Sequence, residues 1–262
     1  MPGLNGCDPD TGSTVTDAES VRQTMTLDVG VDGSFDATPL TDGAERPSPM
    51  ALTERRLSLP IHPDDREHIH AGLVIGVDHG PRSDSPTECT NYSGRPFPGC
   101  YNGHEGTDFM VWGGFETIDR MDIRVVAAAA GVVTFVEDGH YDRCHGDIST
   151  FDVDCDGHEM RANRVHLEHA DGRSSRYLHL KKNSAQVVVG MRVECGSILG
   201  LVGSSGRSVA PHLHFELYDE RGVLTDPYAG ERSQAMSYWI DQSGSDGLPV
   251  GGCPGHAMRA QN

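Results

Sequence analysis

Pro211-His212-Leu213-His214-Phe215-Glu216 is the stretch whose reading decides the fold. Polar and apolar residues alternate through it and on to Leu217, a period of two that predicts a half-buried β-strand. On such a strand His212, His214 and Glu216 share one face, while Leu213, Phe215 and Leu217 face a core. Two imidazoles on one face are set up to meet a metal ion or a reacting group. An isolated His-x-His reads equally well as two surface histidines on an edge strand.

Three other places bear on that choice. His104-Glu105-Gly106-Thr107-Asp108 offers an imidazole and a carboxylate four apart, with a glycine between them to let the chain turn back. Arg176-Tyr177-Leu178-His179-Leu180 is a second alternating strand, with Tyr177 and His179 on one face. Ser204-Ser205-Gly206 precedes the His-x-His strand as a tight polar loop. Imidazole nitrogen and carboxylate oxygen suit Zn²⁺, and catalytic zinc sites combine three protein ligands with a water.

In this order, His-x-Gly-x-Asp, Tyr-x-His-Leu, Gly-Ser-Ser-Gly and Pro-His-Leu-His-Phe-Glu, the motifs resemble those of the lysostaphin-type (LytM-like) zinc metallopeptidases, which cut bacterial cell-wall peptides. The resemblance runs from about Gly103 to Tyr228. Between the motifs, Val125–Val133 looks like the first core hairpin of that family and Val189–Gly200 like its Val-x-x-Gly hairpin. The resemblance implies an all-β fold of two antiparallel sheets with a long groove. It implies that His104, Asp108 and His214 hold one Zn²⁺, with His179 and His212 beside the metal as non-ligands. Of these two, His212 is the expected base and His179 the expected water-orienting or oxyanion-stabilising group, although the roles are open to exchange. The substrate implied is a peptidoglycan peptide, cut by zinc-dependent endopeptidase chemistry. The alternatives within the resemblance are a non-catalytic regulator of wall hydrolases, against which all five filled positions argue, and a protease of glycine-rich extracellular proteins.

Composition is consistent with that class. A chain of 262 residues with 32 Gly, 6% aromatics and short Val, Leu and Ile runs favours a turn-rich all-β domain with extensions. No apolar run approaches the ~20 residues of a membrane helix. A net charge of −18 excludes nucleic acid as a natural partner, since phosphates call for Lys and Arg. An acidic wall polymer would also be repelled, so it must meet a local exception. Oligomeric state is not set by the sequence, with a monomer favoured. Among the seven cysteines, Cys89 with Cys100 and Cys144 with Cys155 have spacings that suit short disulfide-closed loops, which implies an extracytoplasmic, oxidising setting. Cys7, Cys195 and Cys253 remain, and a Cys195–Cys253 bridge is one arrangement of them. No signal peptide is visible, because Met1–Gly6 has no apolar signal core.

Along the chain, residues 1–54 read as an acidic, flexible tail, with Met25–Val31 as an alternative edge strand. Residues 55–230 read as the catalytic domain (core 103–228) with an N-terminal wrapping segment, and 231–262 as a C-terminal extension carrying Tyr238-Trp239-Ile240. The Cys89–Cys100 loop is expected to wall the cleft. The insert Asp138–Met160 is rich in aspartate, and Asp152-Val153-Asp154-Cys155-Asp156-Gly157 resembles the front half of an EF-hand loop, so Ca²⁺ is a candidate there; the twelfth position is Asn163 rather than Glu. A solvated loop pinned by Cys144–Cys155 is the competing expectation. His166 and His169 are expected at the surface.

Overall fold

The computed structural model of the protein describes residues 56–242 and 247–253. The tail reading of residues 1–54, its candidate strand at Met25–Val31, and Cys7 fall outside the described residues.

The alternation at 212–218 does form a strand, and its neighbours define the architecture. In chain order the strands are β1 (Ile69–Ile75), β2 (Thr107–Val111), β3 (Arg124–Val126), β4 (Gly131–Glu137), β5 (His145–Gly146), β6 (Val153–Asp154), β7 (Arg164–Glu168), β8 (Ser174–Leu178), β9 (Arg192–Val193), β10 (Ile198–Leu201) and β11 (His212–Tyr218). Among the described residues, a 3-10 helix (Pro63–His68) precedes β1 and one short α-helix, α1 (Phe115–Arg120), follows β2. A seven-stranded sheet runs β1-β2-β11-β8-β7-β4-β9, with a two-stranded sheet β10-β3 and a hairpin β5-β6 beside it. Every pairing is antiparallel. The fold is all-β, as the sequence leads one to expect.

Strand β11 lies between β2 and β8 near the middle of the large sheet, and its apolar face is fully buried: Leu213, Phe215 and Leu217 are solvent-free. They join Phe109 of β2, Tyr177 of β8, Val165 and Leu167 of β7, and Val125 and Leu199 of the small sheet in one core. Each such aliphatic or aromatic side chain contributes about 1.5–3 kcal/mol on burial.

Two stretches that look like hairpins in the sequence are not hairpins. In Val125–Val133, β3 pairs with β10 while β4 pairs with β7 and β9, so the chain passes from one sheet to the other. Val189–Gly200 does the same through β9 and β10. The alanines between β3 and β4 make the crossing possible. Ala127 and Ala128 are solvent-free, and their small side chains let the backbone run through the core. The Ala128 N–H donates to the Tyr177 hydroxyl at 2.9 Å, which satisfies a buried backbone group there.

Residues outside the motif region complete the core. Leu57, Leu59 and Ile61 are buried, with bridges from Leu57 to Trp239 and from Ile61 to Val125. Trp239 is solvent-free and rings with Phe109, Phe215 and Tyr228 at centroid distances of 6.1, 5.5 and 5.5 Å. Three disulfides, Cys89–Cys100, Cys144–Cys155 and Cys195–Cys253, staple the loops.

The indole N–H of Trp239 is buried without a hydrogen-bond partner among the described residues, so the ring acts by its volume alone. Trp239→Ala is expected to lower stability by about 3–5 kcal/mol, whereas Trp239→Phe should cost clearly less. Urea denaturation of the two variants checks this order.

Candidate metal centre

Register builds the site. In the ladder between β2 and β11, His214 pairs directly with Asp108, and on its other side with Leu178 of β8. Directly opposed residues on one face of an antiparallel pair hold their Cβ atoms about 5 Å apart, so the two side chains converge. His214 Nδ1 lies 2.7 Å from Asp108 Oδ1. His104, just before β2, brings its Nε2 to 3.1 Å from the same oxygen and 3.2 Å from His214 Nδ1. All three residues are buried.

Gly106 makes the convergence possible, but not as a turn. Its φ is not in the left-handed region; instead a Cβ there would stand 2.6 Å from the His214 ring and 2.7 Å from the Phe215 carbonyl oxygen. The glycine is a gap into which His214 fits.

His179 and His212 enter the same space from the other side. Their rings lie 4.7 Å apart, and His179 is 5.5 Å from the His214 ring. His179 Nδ1 is 2.7 Å from the Ser205 carbonyl oxygen, and His212 Nδ1 is 2.7 Å from that of Ala210. A carbonyl only accepts, so each Nδ1 carries a proton and donates it; when such a ring is neutral, its lone pair is on Nε2. The sequence reading put Tyr177 and His179 on one face of a strand, and this is corrected. Tyr177 is in the core and Leu178 lines the groove, yet His179 lines it too. His179 has φ 64°, a left-handed conformation just past the end of β8 that breaks the period of two. A non-glycine residue held there is strained by about 1–3 kcal/mol.

The electrostatics favour a cation. Burial would raise the Asp108 carboxyl, but the charges of His104 and His212 and their hydrogen bonds hold it well below the usual carboxylate range. Burial opposes charge on His214 as well, yet hydrogen bonds donated by its ring to the Asp108 and Glu216 carboxylates push that imidazole up to about 9. Glu216 Oε1 lies 3.2 Å from His214 Nε2, and its second oxygen accepts from Arg176 and Tyr218 at 3.2 and 2.9 Å. His179 is held well below its ordinary value, by burial first and by His212 and His214 next. Two carboxylates thus draw positive charge to one end of the pocket while His179 stays neutral at the other.

The donor set fits zinc. Bonds of about 2.0–2.2 Å in a tetrahedral shell need donors roughly 3.3–3.6 Å apart, and the observed separations of 2.7–3.2 Å reach that with small side-chain rotations. The outer nitrogens are already directed: His104 Nδ1 to the Gly76 carbonyl oxygen at 2.7 Å, and His214 Nε2 to Glu216. Two groups of three potential ligands occur among the described residues, His104–Asp108–His214 and His179–His212–His214. The Asp152, Asp154 and Asp156 carboxylates form no such group, and Asp156 instead accepts from the Tyr141 hydroxyl.

The five residues line a groove of about 670 Å³. The lining also includes Arg82, Pro86, Tyr101, Ile148, Phe151 and Arg207. The acidic insert is therefore not merely solvated, because its apolar tip faces the groove. His169, expected at the surface, is buried between the Ala130 carbonyl oxygen and the Ser175 hydroxyl, both at 2.9 Å.

Residues 102–227 match the family model described as Peptidase family M23. The chain carries a domain of peptidase family M23. This M23 domain is similar to peptidoglycan DD-endopeptidase ShyC of Vibrio cholerae serotype O1, 30% identical over 143 residues, which cover 55% of this chain and 26% of ShyC. It is also similar to glycyl-glycine endopeptidase ALE-1 of Staphylococcus capitis, 47% identical over 55 residues, 21% of this chain and 15% of that protein. The chain thus spans about a quarter or less of these curated relatives. Among solved structures, the catalytic domain of lysostaphin from Staphylococcus simulans is 24% identical, with 58% of this chain and 86% of that chain covered and a TM-score of 0.34.

Gly106→Ala would press a methyl group against the His214 ring of the M23 domain. We expect zinc affinity to fall by about 10–100-fold with the β fold retained. Competition against a chromophoric chelator measures the first and circular dichroism the second.

Proposed function

We propose that the protein is a zinc-dependent endopeptidase that hydrolyses peptide bonds of bacterial cell-wall peptidoglycan. The observation that carries this reading is the convergence of His104 Nε2, Asp108 Oδ1 and His214 Nδ1 beside two further imidazoles. In this reading those three atoms hold the metal. Zinc bound there would supply a Lewis acid for the scissile carbonyl and a water whose pKa falls from 15.7 to about 7.

The chain's own residues do the rest. His212, with its Nδ1 proton fixed on the Ala210 carbonyl, takes a proton from the attacking water at Nε2. The resulting imidazolium then donates that proton to the leaving amine. His179, kept neutral by burial and by its neighbours, orients the water or, when protonated transiently, steadies the oxyanion. Asp108 serves twice, since its Oδ1 also lies 3.4 Å from His212 Nε2 and stabilises charge that develops there. The three disulfides and the names of the relatives support an extracytoplasmic setting.

Purified protein incubated with purified wall peptides, with and without a chelator, tests the reading by mass spectrometry. New amine and carboxyl termini should appear without chelator and vanish with it. His104→Ala, Asp108→Ala and His214→Ala should each lose both zinc and hydrolysis. His212→Ala should keep zinc while hydrolysis falls by ~10² or more. A fully active His212→Ala protein would refute the proton-transfer role.

A further inference from the structure

The groove-side face of β2 continues past the metal-binding residues. Along this strand Phe109 and Val111 join the core, whereas Asp108 and Met110 line the groove. The next residue in that alternation is Trp112. The chain is still paired there, since the Trp112 N–H donates to the His68 carbonyl at 2.8 Å. The Trp112 indole is 62% exposed, whereas Trp239, the second of the two tryptophans in the chain, is solvent-free.

A lone exposed apolar side chain calls for no explanation, but this ring is held in place. His70, from the neighbouring strand β1, packs on it with ring centroids 4.5 Å apart and planes at 52°. The Trp112 carbonyl accepts from the Thr117 hydroxyl at 2.6 Å, which fixes the main chain on the other side. The His70 ring nitrogens have no hydrogen-bond partner among the described residues. The pair is therefore a flat apolar plate with a polar edge, and both remain available to a ligand.

We propose that Trp112 and His70 form a subsite for a sugar ring of the wall glycan, the polymer that carries the peptide substrate. This rests on the peptidase reading and adds a second part of the same substrate. A sugar ring presents a C–H face whose weakly positive hydrogens meet the negative face of an indole. Its hydroxyls and N-acetyl group can exchange hydrogen bonds with the His70 nitrogens. An N-acetylated sugar is uncharged, so the net charge of −18 does not repel it. The geometry also sets a spacing. Trp112 stands four residues along β2 from Asp108, about 13 Å at the rise of a strand. Extended peptide covers that distance in about four residues. A peptide laid along β2 with its sugar on Trp112 thus meets the metal-binding end about four residues from the sugar.

The test compares two substrates, a wall peptide with about four residues ahead of the cleaved bond and the same peptide carrying its N-acetylated disaccharide. We expect kcat/KM for the sugar-bearing peptide to exceed that for the free peptide about tenfold. In Trp112→Ala this ratio should fall to near one, and Trp112→Tyr, which keeps a flat ring, should lie between. The indole is exposed, so zinc content and circular dichroism should be unchanged in both variants. A ratio near one in the unsubstituted protein, or one that Trp112→Ala leaves intact, overturns the proposal. If the unsubstituted protein cleaves neither peptide, the peptidase reading is what fails, and indole fluorescence then decides the present inference. Trp239 is shielded from solvent, so the response to a ligand reports Trp112. A change in emission with the sugar-bearing peptide but not with the free one supports the subsite. The same response to both, or none, overturns it.

Discussion

The pairing of β2 with β11 is the constraint on which everything else depends. Asp108 and His214 meet because they are register partners, and the register is fixed from behind the sheet. Phe109 pairs with Leu213 on the opposite face, and both are buried in the core. A slip of one residue would carry the apolar set into the groove and the donor atoms into the core. The same burial that stabilises the sheet therefore aligns the ligands, and neither can be altered without the other.

Upon that ladder a set of backbone carbonyls orients the imidazoles. Gly76, Ser205 and Ala210 each offer an oxygen to the Nδ1 of a different histidine, so the protonated side of each ring is settled by main chain that cannot itself titrate. The exception is His214, whose outer nitrogen faces the Glu216 carboxylate. That carboxylate is secured by Arg176, its cross-strand partner, and by Tyr218. The site is rigid because its supports belong to strands and short pinned loops.

Much of this was legible in the sequence. The period of two at 212–218 gave the strand and its two faces, and the ordered motifs pointed to the five residues the structure brings together around one pocket. What could not be read depends on neighbours distant in the chain. Gly106 looks like a hinge until the His214 ring is seen beside it. Val125–Val133 reads as a hairpin because the pattern of apolar residues cannot say that its halves belong to different sheets. His169 lies in a polar stretch, but a buried serine and a carbonyl receive it. The groove-facing Phe151 is one of two Phe or Tyr residues within an acidic insert, and local composition pointed to solvent.

Trp239 also bears on how far the fold extends. It stands twelve residues beyond the segment that matches the family, yet it fills the space among Phe109, Phe215 and Tyr228 behind the very strands that carry Asp108 and His214. A polypeptide trimmed to the matched segment would keep every metal-binding donor and lose the wedge behind them. The core behind the candidate site thus extends beyond the matched stretch, and its packing is completed in part by sequence outside the family match.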